Sequence, residues 1–178
     1  MATSKEILRK YRVRPQKKLG QSFLIDGNIA AGIINSSGIG REDVVVEIGS
    51  GHGVLTLMIV KKAKRVIAVE VDRQMVDILR EELKDASNLK IIRQDILEYD
   101  FSMPLRDSRD KEKLKIIGNI PYNISSQILF RLIDFREAIS SMTLMFQKEV
   151  AERITAAPGT KEYGILSVIL PCIPFLIG

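Results

Sequence analysis

"VVVEIGSGHGVLT", residues 44–56, decides the fold. A short apolar run rich in β-branched residues reads as a buried strand. Gly49, Gly51 and Gly53 end it, and "GVLTLMIVKKA" continues with helical spacing. Glycines at alternate positions let a backbone take positive φ and approach a ligand closely. The stretch is therefore a strand, a glycine-rich turn and a helix.

The same alternation recurs outward from it. "LGQSFLIDGNIAAGIINSSGIG" before it reads as a loop and a helix, with Asp26 as N-cap and Gly38 and Gly40 as terminators. After it, "RVIAVEV" is a second buried strand. "RQMVDILREELKDA" is an amphipathic helix with Met75, Val76, Ile78, Leu79 and Leu83 inward. "LKIIRQD", "LKIIGN" and "SMTLMFQ" supply strands three to five. "RDSRDKEK" is a charged loop, and "SSQILFRLID" and "KEVAERITAA" are helices. Strands alternating with helices predict an α/β fold, a mostly parallel sheet with helices on both faces. Such sheets bind ligands at the carboxyl ends of their strands, near the switch point.

The 178 residues suffice for one domain with a sizeable core. Apolar residues make up 46% and no run has the length of a membrane span. The most apolar segment, "GILSVILPCIPFLIG", is broken by Pro171 and Pro174. The single Cys172 excludes a disulfide framework within the chain and reads as a buried, inert thiol in a reducing compartment. The net charge of +5 is unevenly placed. Lys5, Arg9, Lys10, Arg12, Arg14, Lys17 and Lys18 stand against Glu6, so residues 1–18 carry +6 and the remainder −1. Arg9, Lys10, Arg12, Arg14, Lys17 and Lys18 are the candidate phosphate contacts of a basic N-terminal arm; a solvated terminus is the plainer alternative. "MATSKEILRK" lacks the apolar core of a secretory signal. The expected location is the cytoplasm, with a mitochondrion or another organelle as the alternative.

Glycine spacing and charge indicate the ligand. A dinucleotide fingerprint is G-x-G-x-x-G, and residue 54 is Val. Glu47 instead precedes the first glycine by two. Acid-x-G-x-G-x-G suits S-adenosylmethionine, which has no pyrophosphate for a helix N-terminus but carries a cationic sulfonium and an amino group. Glu70 ends the second strand, 21 residues after Gly49, where a carboxylate can accept both ribose hydroxyls. Asp72 beside it reads as a helix cap. Asp95 ends the third strand; taken alone it reads as a loop or cap residue, but beside the glycine loop and two other acids it can accept from an adenine amino group. Glu47, Gly49, Gly51, Glu70 and Asp95 are thus cofactor-binding candidates.

"GNIPYNIS", residues 118–125, follows the fourth strand and faces the glycine loop if that strand neighbours the first. An aryl amine such as adenine N6 is a poor nucleophile because its lone pair is delocalised into the ring. Acceptors on its two N–H groups, the Asn119 side-chain oxygen and the Ile120 carbonyl, can localise that pair. Pro121 stiffens the turn. Tyr122 can stack on the base, a contact worth roughly 1–3 kcal/mol. Asn119, Ile120, Pro121 and Tyr122 form the candidate catalytic set, acting by positioning and electrostatics. A rigid strand-to-helix turn is the alternative.

At these residues the sequence resembles the KsgA-type rRNA adenine dimethyltransferases. The resemblance runs from "KKLGQSFLID" through "VVEIGSGHGVLT", "VIAVEVD", "RQDIL", "GNIPYNISSQILF" and "LMFQKEVAERI" to "YGILSV". It implies a Rossmann-like class I S-adenosylmethionine-dependent methyltransferase fold. It also implies dimethylation of N6 on two adjacent adenines near the 3′ end of small-subunit rRNA, within a pre-ribosomal small subunit during ribosome biogenesis. Cofactor contacts are implied at Ser22, Leu24, Gly49, Glu70, Asp95 and Asn119. Ser22 stands where the family usually has Asn or His. The family continues past the position of Gly178 with a Pro-rich loop bearing a second stacking aromatic, a last antiparallel strand and a helical domain. The expectation is therefore a basic arm, residues 1–18, and a methyltransferase domain, residues 19–178. That domain is truncated before its last antiparallel strand and without the family's helical domain, able to bind cofactor but poorly active on RNA by itself.

Two other readings belong beside this one. One is a non-catalytic RNA-binding assembly factor that keeps the fold. The other is an amino-methyltransferase for DNA or a small molecule. His52, the only histidine, is expected to face solvent. No metal site, no membrane association and a monomer are the remaining expectations.

Overall fold

The computed structural model describes residues 4–106 and 112–169. Cys172, Pro171, Pro174 and the middle of the charged loop lie outside the described residues, as does the Lys17 side chain. In chain order the elements are α1 (Ser4–Lys10), α2 (Gly27–Ser36), β1 (Val44–Ile48), α3 (Thr56–Ile59), β2 (Arg65–Glu70), α4 (Arg73–Glu82) and β3 (Leu89–Arg93). They continue with β4 (Leu114–Asn119), α5 (Ser125–Asp134), β5 (Ile139–Met145), α6 (Lys148–Ile154) and α7 (Ile165–Ile169). The five strands form one sheet in the order β3-β2-β1-β4-β5. All four pairings are parallel.

Burial on both faces explains the apolar runs. Val44, Val46 and Ile48 point into a cluster with Ile128, Leu129 and Leu132 of α5. Val45 packs on the other face with Ala30 and Ile34 of α2 and Ile59 of α3. Each fully buried Val, Leu or Ile side chain among these contributes about 1.5–3 kcal/mol. Tyr99 and Phe101, edge to face at 5.1 Å, close the α5 side. The five inward residues expected of α4 are all buried. Asp26 caps α2, accepting from Asn28 N at 2.8 Å, and Asp72 caps α4, accepting from Gln74 N at 2.9 Å.

Three elements differ from expectation. The helix after the glycine turn is α-helical only over Thr56–Ile59. Bonds three residues back, from Met58 N to Leu55 O and from Lys62 N to Ile59 O, tighten its ends into turns. β5 begins at Ile139, two residues early. The basic N-terminal segment contains α1, docked on α4: Ile7 is buried against Met75 and Ile78. Tyr11 Oη and Lys10 Nζ both donate to Glu82 Oε1 at 2.7 Å.

Candidate active site

A cleft of about 210 Å³ opens at the carboxyl ends of β1, β2 and β4. The register sets those ends level, because Ile48 pairs with both Val69 and Gly118. The strand order reverses between β1 and β4, so the cleft lies at the switch point. Ser22, Leu24, Glu47, Gly49, Gly51, Glu70, Asp95, Asn119, Ile120 and Pro121 all line it.

The glycine loop is held by its own hydrogen bonds. Gly49, Gly51 and Gly53 have φ of +66°, +54° and +91°. Gly53 is required twice over, since a Cβ there would also come within 2.7 Å of Leu79 Cδ2. Gly49 N donates to Val69 O at 2.9 Å, Gly53 N to Ser50 O at 3.0 Å, and Gly51 N to Glu70 Oε2 at 2.8 Å. Asp72 N donates to Glu70 Oε1 at 2.9 Å. Glu70 is buried, which pushes its carboxyl up, while the Asp72 and Gly51 N–H groups oppose the rise. Asp95 spends one oxygen capping a 3-10 turn, accepting from Leu97 N at 2.9 Å. Cap and cleft residue are thus the same side chain.

Glu47 is 1% exposed. Thr56 Oγ1 donates to it at 2.6 Å. Burial pushes its carboxyl up to about 8, the Thr56 hydrogen bond opposes this, and nearby Glu70 adds to it. Between the ordinary value of 4.5 and about 8, the folded chain holds a proton that the unfolded chain has lost. That contribution to stability is complete below the lower value and is lost as pH rises through the window. Glu47→Gln keeps an acceptor for Thr56 and has no such proton. The melting temperature of wild type minus that of Glu47→Gln should fall between about pH 5 and about pH 8. A difference independent of pH would contradict the assignment.

The turn after β4 is pinned from several sides. Asn119 Nδ2 donates to Ser22 O at 2.6 Å, which leaves Oδ1 as the free acceptor of this amide. Ile120 is buried and its N–H donates to Met145 O at 2.9 Å. Ser125 Oγ donates to Pro121 O at 2.9 Å and lies 3.2 Å from Tyr122 O. Tyr122, 51% exposed, stands outside the cleft lining at its rim.

Residues 16–24 form a cover over the cleft that sequence reasoning did not assemble. Gln16 Nε2 and Gln21 Nε2 donate to Asp72 Oδ2 at 2.7 and 2.9 Å, and Gln16 N donates to Gln21 Oε1 at 2.9 Å. Phe23 packs edge to face on His52, with ring centroids 5.4 Å apart. His52 does not face solvent as expected; it is 3% exposed because Phe23 folds back over the glycine loop, and burial lowers its basicity. The available signal was "GQSFL" itself, in which a side chain able to bridge, Gln21, precedes an aromatic by two residues. Arg9, Arg12, Arg14 and Lys18 are exposed, whereas Lys10 is paired with Glu82. Among the described residues no group of three or more His, Cys, Asp or Glu could hold a metal ion, and no helix is long and apolar enough to cross a membrane.

A parallel 3-2-1-4-5 sheet, an acid followed by a glycine turn after its first strand, and acids at the next two strand ends define a Rossmann-like class I methyltransferase domain. Within that class the chain belongs to the ribosomal RNA adenine dimethylase family, whose profile matches residues 12–173. It is 47% identical over 169 residues to the ribosomal RNA small subunit methyltransferase A of Syntrophus aciditrophicus, covering 95% of this chain and 60% of that protein. Against the protein of the same name from Alkaliphilus metalliredigens, identity is 42%, covering 93% and 58%. The chain thus spans about 60% of the length of these relatives. A dimethyladenosine transferase structure from Plasmodium falciparum superimposes with a TM-score of 0.72 at 33% identity, covering 83% of this chain and 51% of that one. The 23S rRNA methyltransferase ErmE gives 0.65 at 27%, covering 74% and 50%.

Proposed function

We propose that the chain is the cofactor- and amine-binding domain of an S-adenosylmethionine-dependent enzyme. Its reaction is dimethylation of N6 on two adjacent adenines near the 3′ end of small-subunit rRNA during ribosome assembly. The observation that carries this reading is the use of the glycine N–H groups. All three are spent inside the protein, on Val69, Glu70 and Ser50. A pyrophosphate would find none of them, whereas buried Glu70 and exposed Asp95, lining the cleft with Glu47, suit a ligand with several hydrogen-bond donors. The names of the relatives agree with this chemistry.

When bound, S-adenosylmethionine supplies a methyl group on a cationic sulfonium. Glu70, braced by two backbone N–H groups, accepts the ribose hydroxyls. Asp95 would accept from the adenine amino group of the cofactor, and Leu24 and Ser22 line the same cleft. The target amine meets Asn119 Oδ1 and the Ile120 carbonyl. Hydrogen bonds from its two N–H groups localise the lone pair and aim it at the cleft. Tyr122, open at the rim, stacks on the target base. Arg9, Arg12, Arg14 and Lys18, with Lys10 and Lys17, contact RNA phosphates without reading sequence.

Calorimetry on this chain tests the ligand class. S-adenosylhomocysteine should bind saturably at one site, and NAD should give no saturable heat. Micromolar binding of NAD would overturn the reading of residues 47–56.

A further inference from the structure

We infer that Asn123 is a positioning residue: it clasps the cover over the cofactor cleft to the turn that carries Tyr122, so that seating the cofactor sets the substrate turn. The inference rests on the methyltransferase reading of the cleft. Two amides of "NIPYN" reach the cover. Asn119 Nδ2 meets Ser22 O, but Asn119 belongs to the end of β4 and is already fixed by the sheet. Asn123 lies in the 3-10 turn Tyr122–Ile124 itself, and its Nδ2 donates to Lys18 O at 3.4 Å.

The packing at Gly20 shows how closely the two segments fit. Gly20 has φ +61°, and a Cβ there would run into Asn123 Oδ1 and come within 3.4 Å of Pro121 Cβ. Glycine is demanded both by its backbone conformation and by the amide seated on it. Gly20 and Asn123 both line the cleft, and the same cover is tied at its other side to Asp72 through Gln16 and Gln21. Asp72 in turn donates its N–H to Glu70, the proposed ribose acceptor. A continuous set of contacts thus runs from the ribose site through the cover to the Tyr122 turn. A ligand that favours the seated cover favours one setting of that turn.

Hydrogen exchange on the 178-residue chain tests this, with S-adenosylhomocysteine as probe and wild type compared with Asn123→Ala. Asn123 is exposed, so the variant should fold, with an unchanged melting temperature as the check. In wild type, saturating S-adenosylhomocysteine should slow exchange in residues 16–24 and in 122–124 together. In Asn123→Ala the slowing should persist in 16–24 and be lost in 122–124. Equal slowing of both segments in the variant, or no slowing of 122–124 in wild type, would overturn the clasp while leaving the cofactor reading intact. Failure of the wild-type chain to bind S-adenosylhomocysteine would overturn that reading and the clasp with it.

Discussion

Asn119→Ala, made in the protein as the cell produces it, should lower methyl-transfer turnover by about 10²–10³ while changing RNA affinity far less. An acceptor that strengthens its bond as the amine attacks acts on the transition state, so its loss appears in kcat; uniform binding would appear in KM. The Ser22 carbonyl makes this expectation specific, because it fixes the amide with Nδ2 turned to the cover and Oδ1 left for the substrate. Asn119→Asp separates the two ends of the amide. It keeps an oxygen for the amine but loses the donor to Ser22, so it too should be impaired, with a weaker cover. At Tyr122 the ring does the stacking, so Tyr122→Phe should be mild and Tyr122→Ala severe. If the stretch were only a rigid joint, activity and melting temperature would fall in step across these variants. A stable Asn119→Ala enzyme with near wild-type turnover would refute the catalytic role.

Glu70→Ala should weaken S-adenosylhomocysteine binding by about 1–3 kcal/mol, since two ribose hydroxyls lose a charged acceptor. The structure adds a second consequence. Glu70 also accepts from Gly51 N and Asp72 N, so alanine strands two N–H groups of the loop and of the helix start. Stability should fall as well, by about 1–3 kcal/mol for each group left unpaired. Glu70→Gln retains an acceptor oxygen and removes the charge, so its affinity should lie between the two. Calorimetry showing unchanged affinity in Glu70→Ala would remove the ribose assignment whatever the melting temperature does.

The sheet and the carboxylates were legible in the sequence because their signals are local. A β-branched run, a glycine turn and an acid at the strand end lie within a dozen residues of one another. Helical spacing likewise placed Met75, Val76, Ile78, Leu79 and Leu83 inward. The cover was not legible, because its bonds join residues far apart in sequence: Gln16 and Gln21 to Asp72, Ser22 to Asn119, Lys18 to Asn123. His52 was misread for the same reason, since only the returning Phe23 buries it. The seven residues of α1 are too few to hold a helix unaided. Their order comes from Ile7 and Tyr11 docking on α4, while their charge pattern resembles a solvated tail. Asp95 was read as either a cap or a ligand residue, and its cap and its cleft position turned out to coincide.

The most direct measurement is the fate of the methyl group. The protein containing these residues would be incubated with methyl-labelled S-adenosylmethionine and small ribosomal subunits that lack the modification. Their RNA would then be digested to nucleosides and analysed by mass spectrometry. Label is expected in N6,N6-dimethyladenosine from two adjacent positions near the 3′ end of the small-subunit RNA. Label confined to any other nucleoside, or none at all from a protein shown to bind the cofactor, would contradict the proposed function.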